Sequence, residues 1–217
     1  MEDILIIPDI HGRTFWKDAC SKWEGKVIFL GDYLDPYSDE GIHFEDAVIN
    51  FINILDYSEE NKNCILLLGN HDVPYLYPEN KYYVTRHNTS KEKEMQELFN
   101  EAIFKYIYIE DKYLFSHAGV DDRWLKKEHL DINSVNYKLD ADPDLTWDVS
   151  FLRGGYNNFG SCVWSDIRDF KNDLPYYQIF GHTQLKDKPI IKDTFACLDC
   201  RRPFILRDNK IIEFKND

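Results

Sequence analysis

The first part of the chain alternates short apolar runs with amphipathic segments. Apolar residues fill positions 4–8, 27–30 and 65–68, and each run ends in a polar cluster. Runs of this length that stop at turn-forming residues are typical of buried β-strands. Between the second and third runs, a spacing of three and four places apolar side chains on one helical face: Phe44, Ala47, Val48, Phe51, Ile52 and Leu55. The pattern predicts strands connected by helices, which favours a largely parallel sheet.

A second amphipathic segment, residues 95–106, predicts another helix, and Thr89 with Glu92 has the spacing of a capping box before it. Further apolar runs follow one another more closely, at residues 113–116, 176–180, 195–198, 204–206 and 211–214. We expect these runs to form a second sheet packed on the first, and residues 207–210 to form a hairpin turn. The chain is therefore predicted to be an α/β protein with two packed mixed β-sheets flanked by helices.

Length and composition fit one domain. The 217 residues, 43% of them hydrophobic, can bury a continuous core, so we expect a single domain over residues 1–217. Residues 121–160 interrupt the regular pattern and are rich in Asp, Asn and aromatic residues. Long irregular segments in compact domains are often functional. This segment is either a surface insertion or a wall of the active-site pocket.

Charge and cysteine content limit the partners and the compartment. A formal net charge of -13 argues against general binding to nucleic acids or anionic membranes, because both are polyanions. The chain begins without a basic region and its first apolar run stops at Pro8, so neither a signal peptide nor a membrane span is expected. Five cysteines, an odd number, fit reduced thiols, and Cys197 with Cys200 lacks the second pair that a zinc site needs. We therefore expect a cytoplasmic protein.

Strong metal ligands follow several of the predicted strands. The motifs are D-x-H at residues 9–11, G-D-x-x-D at 31–35, G-N-H-D at 69–72, H-A-G at 117–119 and G-H-T at 181–183. Because the loops after the carboxyl ends of strands converge on one crevice in open α/β sheets, these side chains can meet. Mixed carboxylate, imidazole and amide ligands suit manganese, iron or zinc better than calcium. The sequence therefore predicts a site for divalent ions of that kind.

These motifs, in this order, resemble the calcineurin-like metallophosphoesterase superfamily. Within it, the chain looks most similar to the branch of the phosphoprotein phosphatases and the symmetrical diadenosine-tetraphosphate hydrolases. Residues 164–166 (Trp-Ser-Asp) and 198–199 (Leu-Asp) add to that likeness. The resemblance implies an αββα sandwich and a centre of two divalent metal ions, for which we favour Mn²⁺ over iron or zinc.

The resemblance also implies roles for the residues at matching positions. Asp32 would bridge two ions within the set of metal ligands Asp9, His11, Asp32, Asn70, His117 and His182. His71, paired with Asp35, would act as the general acid that protonates the leaving-group oxygen, and Asp72 would support the ligands. Any one of these residues could be a turn or capping residue. The agreement of all of them in order favours the metal site.

Two positions depart from patterns of the superfamily. Gln184 stands where many phosphodiesterases have a second metal-binding histidine, which favours the phosphatase branch. Pro36 stands where the protein phosphatases have an arginine that grips the substrate phosphate. Another arginine would then have to supply a bidentate contact. The candidates are Arg13, Arg86, Arg153 and Arg168, of which we prefer Arg153 and Arg168.

The predicted function is that of a metal-dependent phosphomonoesterase similar to the serine/threonine protein phosphatases, acting on a phosphoprotein or a small phosphorylated molecule. Hydroxide bound to the metal pair would attack phosphorus. The same metal core would also serve a dinucleoside-polyphosphate hydrolase or a phosphodiesterase, and these alternatives stay open. An alternative of another class is a non-catalytic scaffold with this fold, against which the retained ligand set argues.

Overall fold

The computed structural model describes residues 2–78 and 84–215. In these ranges the helices are α1 (Trp16–Ser21), α2 (Phe44–Glu60), α3 (Val73–Leu76), α4 (Glu92–Phe99), α5 (Asp122–Lys127) and α6 (Val135–Ala141). The strands are β1 (Ile4–Ile7), β2 (Lys26–Phe29), β3 (Cys64–Leu67), β4 (Phe104–Lys105), β5 (Ile107–Glu110), β6 (Tyr113–Ser116), β7 (Tyr177–Phe180), β8 (Ile190–Ile191), β9 (Phe195–Cys197), β10 (Phe204–Arg207) and β11 (Lys210–Glu213). Among these described helices, none combines the length and the apolar character needed to cross a bilayer.

The described strands form two mixed sheets. The first has the order β11-β10-β1-β2-β3-β4, with parallel pairing from β1 to β4 and antiparallel pairing of β10 with β1 and with β11. The second has the order β5-β6-β7-β9-β8, with a parallel centre and antiparallel strands at both edges. This is the predicted α/β architecture of two mixed sheets flanked by helices.

Strand β1 shows how the hydrophobic core holds the layers together. Ile4 and Ile6 lie in the core between the two sheets, with residues of β6, β7 and β9. Leu5 and Ile7 lie in the core cluster that contains the buried residues of α1 and α2. A strand that is buried on both faces needs apolar residues at every position, which explains the uninterrupted run in the sequence.

The helix predicted over Phe44 to Leu55 is confirmed as α2, but the helix predicted over residues 95–106 is wrong in its second half. α4 ends at Phe99, and β4 pairs with β3 instead of continuing the helix. Ile103 is 86% exposed, so the apolar spacing there does not mark a buried helical face. The capping box is also wrong, because a 3₁₀ turn over Thr89–Lys91 precedes α4 and no side chain caps the helix.

The last two strands belong to the first sheet, whereas they were expected in the second. β10 pairs with β1, joining Leu206 to Ile4, and β11 pairs with β10. The pairing links distant parts of the sequence, so the close spacing of the late strands did not reveal it. The hairpin turn is confirmed, since Asp208 and Asn209 have φ angles of 49° and 60°, as a two-residue type I′ turn requires.

Candidate metal centre

The predicted ligands lie in the loops that follow β1, β2, β3, β6 and β7, where the two sheets meet at one edge. They are Asp9 and His11 after β1, Asp32 after β2, Asn70 after β3, His117 after β6 and His182 after β7. His182 is half-buried, and each of the others is at most 3% exposed. Burial of so many ionisable groups is unfavourable unless they are paired with one another or bind a metal.

His117 shows why these side chains suit a cation. Its Nδ1 donates to the backbone oxygen of Leu30 at 2.8 Å, so in the neutral ring Nε2 carries a lone pair. That nitrogen lies 3.0 Å from Asn70 Oδ1, 3.1 Å from His182 Nδ1 and 3.5 Å from Asp32 Oδ2. These are all atoms that can act as acceptors, and they face one another. A divalent cation between them would satisfy every lone pair.

His11 has the same arrangement on the other side of Asp32. Its Nδ1 donates to the backbone oxygen of Leu34 at 2.9 Å, and its Nε2 lies 3.3 Å from Asp32 Oδ2. The same carboxylate oxygen therefore faces both His11 and His117. This is the place that a carboxylate shared by two ions would take.

Gly181 and Gly69 let the carboxylates of Asp9 and Asp32 approach the backbone of neighbouring loops closely. Asp9 accepts hydrogen bonds from the backbone N–H of His182 at 3.0 Å, and a Cβ at Gly181 would lie only 2.0 Å from Asp9 Oδ1. A Cβ at Gly69 would likewise lie 2.1 Å from Asp32 Oδ1. Only glycine leaves room for these approaches. The glycines of the G-N-H-D and G-H-T motifs thus serve the carboxylates of other motifs.

The pKa shifts of the ligands fit a centre that releases protons from some of its side chains when it binds metal. Burial lowers the pKa of His182 well below its usual value, so its ring is neutral at neutral pH. Burial also disfavours the charged form of His11, but the carboxylates of Asp32 and Asp9 together raise its pKa. Burial raises the pKa of Asp9. For Asp32 burial acts in the same direction, but His117 and the other nearby histidines hold its pKa well below the usual value.

His71 and Asp35 lie together as predicted, and Tyr75 joins them. His71 Nδ1 lies 2.7 Å from Asp35 Oδ2, and the Tyr75 hydroxyl donates to Asp35 Oδ1 at 2.6 Å. Asp35 is fully buried, so these two partners fix both of its oxygens. Burial lowers the pKa of His71. Tyr75 was not predicted from the sequence, because its hydroxyl belongs to no motif and reaches Asp35 only through the fold.

Asp72 ties the loops of the second and third motifs together. Its carboxylate accepts hydrogen bonds from the backbone N–H groups of Asp32 at 2.7 Å, Tyr33 at 2.9 Å and Gly69 at 2.7 Å. Asp72 is completely buried. It therefore holds the backbone that carries Asp32, which fits the supporting place that the resemblance implied for it.

A cavity of about 390 Å³ opens over the ligands, and Arg86 and Arg153 line it. Arg86 Nη2 lies 3.3 Å from His71 Nε2, and its guanidinium stacks on the ring of Tyr37 at 3.9 Å. Arg153 donates to Thr183 Oγ1 at 2.8 Å. Two guanidinium groups from separate segments thus face the same space as the metal ligands.

The other two candidate arginines lie elsewhere. The Arg168 side chain is 63% exposed, and its Nε pairs with Asp166 at 2.7 Å. Arg13 pairs with Glu40 at 2.8 Å. Of the two arginines preferred from the sequence, the structure brings Arg153 to the cavity and leaves Arg168 outside its lining, while Arg86 takes a place there.

Comparison with protein families agrees with this geometry. The family model of the calcineurin-like phosphoesterases matches residues 3–185. The chain is a member of the calcineurin-like phosphoesterase family. This calcineurin-like phosphoesterase is therefore a metal-dependent hydrolase of phosphoric esters. Members of the family use divalent metal ions. Among the described residues, two groups of three side chains each bring their potential ligand atoms within 4.8 Å of one another. One group is His11, Asp32 and His71, and the other is Asp9, Asp32 and His117.

Solved structures share the fold of this calcineurin-like phosphoesterase at low sequence identity. A cold-active protein-tyrosine phosphatase of a psychrophilic Shewanella species is 14% identical, with a TM-score of 0.64 over 97% of this chain and 77% of that chain. A protein serine/threonine phosphatase from Saccharomyces cerevisiae, described as similar to human phosphatase PP5, is 15% identical, with a TM-score of 0.50 over 90% of this chain and 66% of that chain. No curated protein sequence matches the chain.

Proposed function

We propose that this calcineurin-like phosphoesterase is a phosphomonoesterase that uses two divalent ions, with Mn²⁺ favoured, and acts on a phosphorylated small molecule or a phosphoprotein. The observation that supports two ions is the position of Asp32 Oδ2, which lies 3.3 Å from His11 Nε2 and 3.5 Å from His117 Nε2. Each histidine turns its Nε2 toward the shared carboxylate. One ion on each side of Asp32 would complete the arrangement.

Divalent ions held there would lower the pKa of a coordinated water and neutralise charge on the phosphate oxygens. The chain supplies the proton for the leaving group. For that role His71 needs a proton on Nε2, but in the structure Nε2 faces Arg86, which can only donate. The Arg86 guanidinium therefore has to move away from His71 Nε2 before that nitrogen can carry the proton of the general acid. A bound phosphate offers Arg86 a stronger acceptor.

The two arginines of the cavity favour monoesters over diesters. A phosphate monoester carries about two negative charges at neutral pH, one more than a diester. Arg86 and Arg153 together match that charge at a cavity that also holds the metal ligands. Arg86, anchored to the backbone oxygen of Asp35 at 3.0 Å, would supply the contact that Pro36 does not provide.

The test compares p-nitrophenyl phosphate with its bis ester on the manganese-loaded protein. We expect kcat/KM for the monoester to exceed that for the diester by about tenfold or more. Arg86→Gln should lower kcat/KM for the monoester by about 100-fold, since it removes a charge-assisted contact, and should affect the diester less. Arg207→Gln, at a half-exposed arginine paired with Asp3, is the control. A preference for the diester would contradict the proposal, and diadenosine tetraphosphate in the same assay tests anhydride cleavage.

A further inference from the structure

A second cavity lies beside the metal cavity, and no role described so far uses it. Its volume is about 280 Å³, and its walls include the indoles of Trp147 and Trp164 and the side chain of Tyr156. The two indole rings lie 6.0 Å apart at an angle of 46°, and Tyr156 is fully exposed. Small-molecule sites are concave, mostly apolar and about 300 Å³ or larger. The size and lining of this aromatic cavity therefore suit one small ring system.

The aromatic cavity and the metal cavity share Arg153 and Trp164 as walls. The Trp164 indole lies edge to face against the His182 imidazole, with ring centroids 5.8 Å apart. Arg153 is held in place by Asp166, whose carboxylate lies 2.8 Å from its Nε. A substrate whose phosphate contacts Arg153 over the metal ligands can therefore place its other half in the aromatic cavity.

The wall of the aromatic cavity is a hydrogen-bonded turn. The backbone N–H of Phe151 donates to the backbone oxygen of Asn157 at 2.6 Å, and the backbone N–H of Gly155 donates to the backbone oxygen of Ser150 at 3.0 Å. A Cβ at Gly155 would lie 2.0 Å from the backbone oxygen of Val149, so the chain packs against itself too closely for a side chain. A cavity that is formed in advance spends little binding free energy on ordering its walls.

The charges around the aromatic cavity suit a neutral ring. Among its described lining residues, Arg153 carries the charge. The nearby Asp148 carboxylate is paired through Oδ1 with the Lys127 ammonium at 2.5 Å, and Asn157 donates to the same oxygen at 2.8 Å, so its charge is already balanced by a cation of the chain. The surface that remains is aromatic, and aromatic rings pack well against it in offset or edge-to-face geometry.

We propose that the aromatic cavity binds an aromatic ring in the alcohol half of the substrate, so that the enzyme selects phosphomonoesters whose leaving group carries such a ring. The inference rests on the proposed function, because it places the phosphate of the same molecule over the metal ligands. In the hydrolysis, the oxygen of water forms a new bond to phosphorus and the bond from phosphorus to the ester oxygen breaks. The ester oxygen leaves as the aromatic alcohol with a proton from His71. Of the two protons of the water, one stays on the phosphate product and the other, passed through solvent, replaces the proton that His71 gave up.

The kinetic test compares 2-naphthyl phosphate with hexafluoroisopropyl phosphate on the manganese-loaded protein. The two leaving groups have similar acidity, so a difference between the esters reports on the ring. Trp147→Leu should lower kcat/KM for the naphthyl ester about tenfold, mainly through KM, and change that of the fluoroalkyl ester by less than about twofold. Trp147→Phe should restore part of the loss. Tyr137→Leu, which removes a 73% exposed ring on α6, is the matched control.

A binding experiment separates this inference from the proposed function. 2-Naphthylmethylphosphonate cannot be hydrolysed, and calorimetry should show that it binds about tenfold more tightly than methylphosphonate. The difference should disappear in Trp147→Leu, whether or not the protein hydrolyses any ester. Equal affinity for the two phosphonates, or equal losses for both esters in Trp147→Leu, would overturn the inference and leave the phosphatase proposal standing.

Adenosine 5′-monophosphate distinguishes two sources of the ring, because its base is joined to the phosphate through a ribose. A larger Trp147-dependent change in KM for this nucleotide than for the naphthyl ester would identify a nucleoside, and the reverse would identify a ring bonded directly to the ester oxygen. Either result supports the aromatic cavity as a substrate site. Should the Trp147 variants fail to fold by circular dichroism, Tyr156→Ala, at a fully exposed position, permits the same comparisons.

Discussion

The tautomers of two histidines define what the centre can hold. His11 and His117 each donate Nδ1 to a backbone oxygen, that of Leu34 and that of Leu30. Because a backbone oxygen can only accept, the neutral rings must turn an unprotonated Nε2 toward Asp32. The fold therefore fixes which nitrogen of each ring faces the metal position before any ion arrives.

Asp32→Asn tests the shared carboxylate. The amide keeps the size of the side chain but removes the charge between His11 and His117, so we expect the protein to lose at least one ion per chain and kcat to fall about 100-fold or more. Metal content after gel filtration, measured by mass spectrometry, checks the first point. His43→Gln, at an exposed histidine, is the control. Full activity with two retained ions would show that Asp32 is not the bridge.

Tyr75→Phe tests whether the hydroxyl that holds Asp35 matters to proton transfer. Without it, Asp35 is less firmly oriented toward His71, and the general acid matters most when the departing oxygen is basic. We expect kcat for an alkyl phosphate to fall about tenfold and kcat for p-nitrophenyl phosphate to fall by about twofold. His71→Ala should show the same split with larger losses. Both variants should keep their metal content, and equal losses for the two esters would argue against this role.

At the scale of elements, the loops after the strands interlock, and Gly181 after β7 is the clearest case. A Cβ there would collide with the Asp9 carboxylate after β1. Gly181→Ala should therefore weaken Mn²⁺ binding by about 10- to 100-fold although it removes no ligand. Titration of the metal-free protein by calorimetry measures this. Gly41→Asn, at a glycine with φ 67° and open space around it, should bind Mn²⁺ like the unchanged protein.

Asp166 pairs with Arg153, which lies in the turn that walls the aromatic cavity, and with Arg168. Burial would raise its pKa, but the hydrogen bonds from Arg168 and the charge of Arg153 lower it below the usual value. A lowered pKa in the folded state stabilises the protein above the unfolded pKa of about 3.9, and this contribution is lost as the pH falls through the folded pKa. Asp166→Asn should therefore lower the free energy of unfolding by about 2 kcal/mol at neutral pH, and the difference should shrink below pH about 4. Denaturant unfolding at both pH values measures it, and a difference that grows on acidification would contradict the ion pairs.

The elements also show what the sequence could and could not predict. β1, β2 and β3 were predictable because strands buried on both faces read as apolar runs that end at glycine or aspartate. β4 spans only Phe104–Lys105 and has no periodicity to detect, so its residues were assigned to a helix. The metal ligands lie in recognisable motifs, whereas the place of Arg86 depends on its stacking on Tyr37. That contact arises only in the folded chain.

Some of the carboxylates that give the whole molecule its net charge of -13 lie buried at the metal centre. Asp9, Asp32, Asp35, Asp72 and Asp199 are each at most 3% exposed. Burial raises the pKa of Asp199 well above its usual value, and the neighbouring charge of Asp9 adds to the effect. So many buried carboxylates destabilise the metal-free protein unless they bind protons. Bound cations would relieve the same repulsion without protons, which links metal binding to the stability of the entire fold.

Stability should therefore respond to metal in a pH-dependent way. A histidine with a raised folded-state pKa, such as His11, stabilises the metal-free protein below the unfolded pKa of about 6.5, and that contribution is lost as the pH rises through the folded value. The raised pKa of Asp9 acts in the same direction, and protons at both residues compete with the ion. Mn²⁺ should consequently raise the Tm by several degrees more at pH about 8 than at pH about 5.5. Thermal unfolding in Mn²⁺ and in EDTA measures the shift, which Asp32→Asn should diminish. A shift that is equal or smaller at the higher pH would show that the ion does not replace these protons.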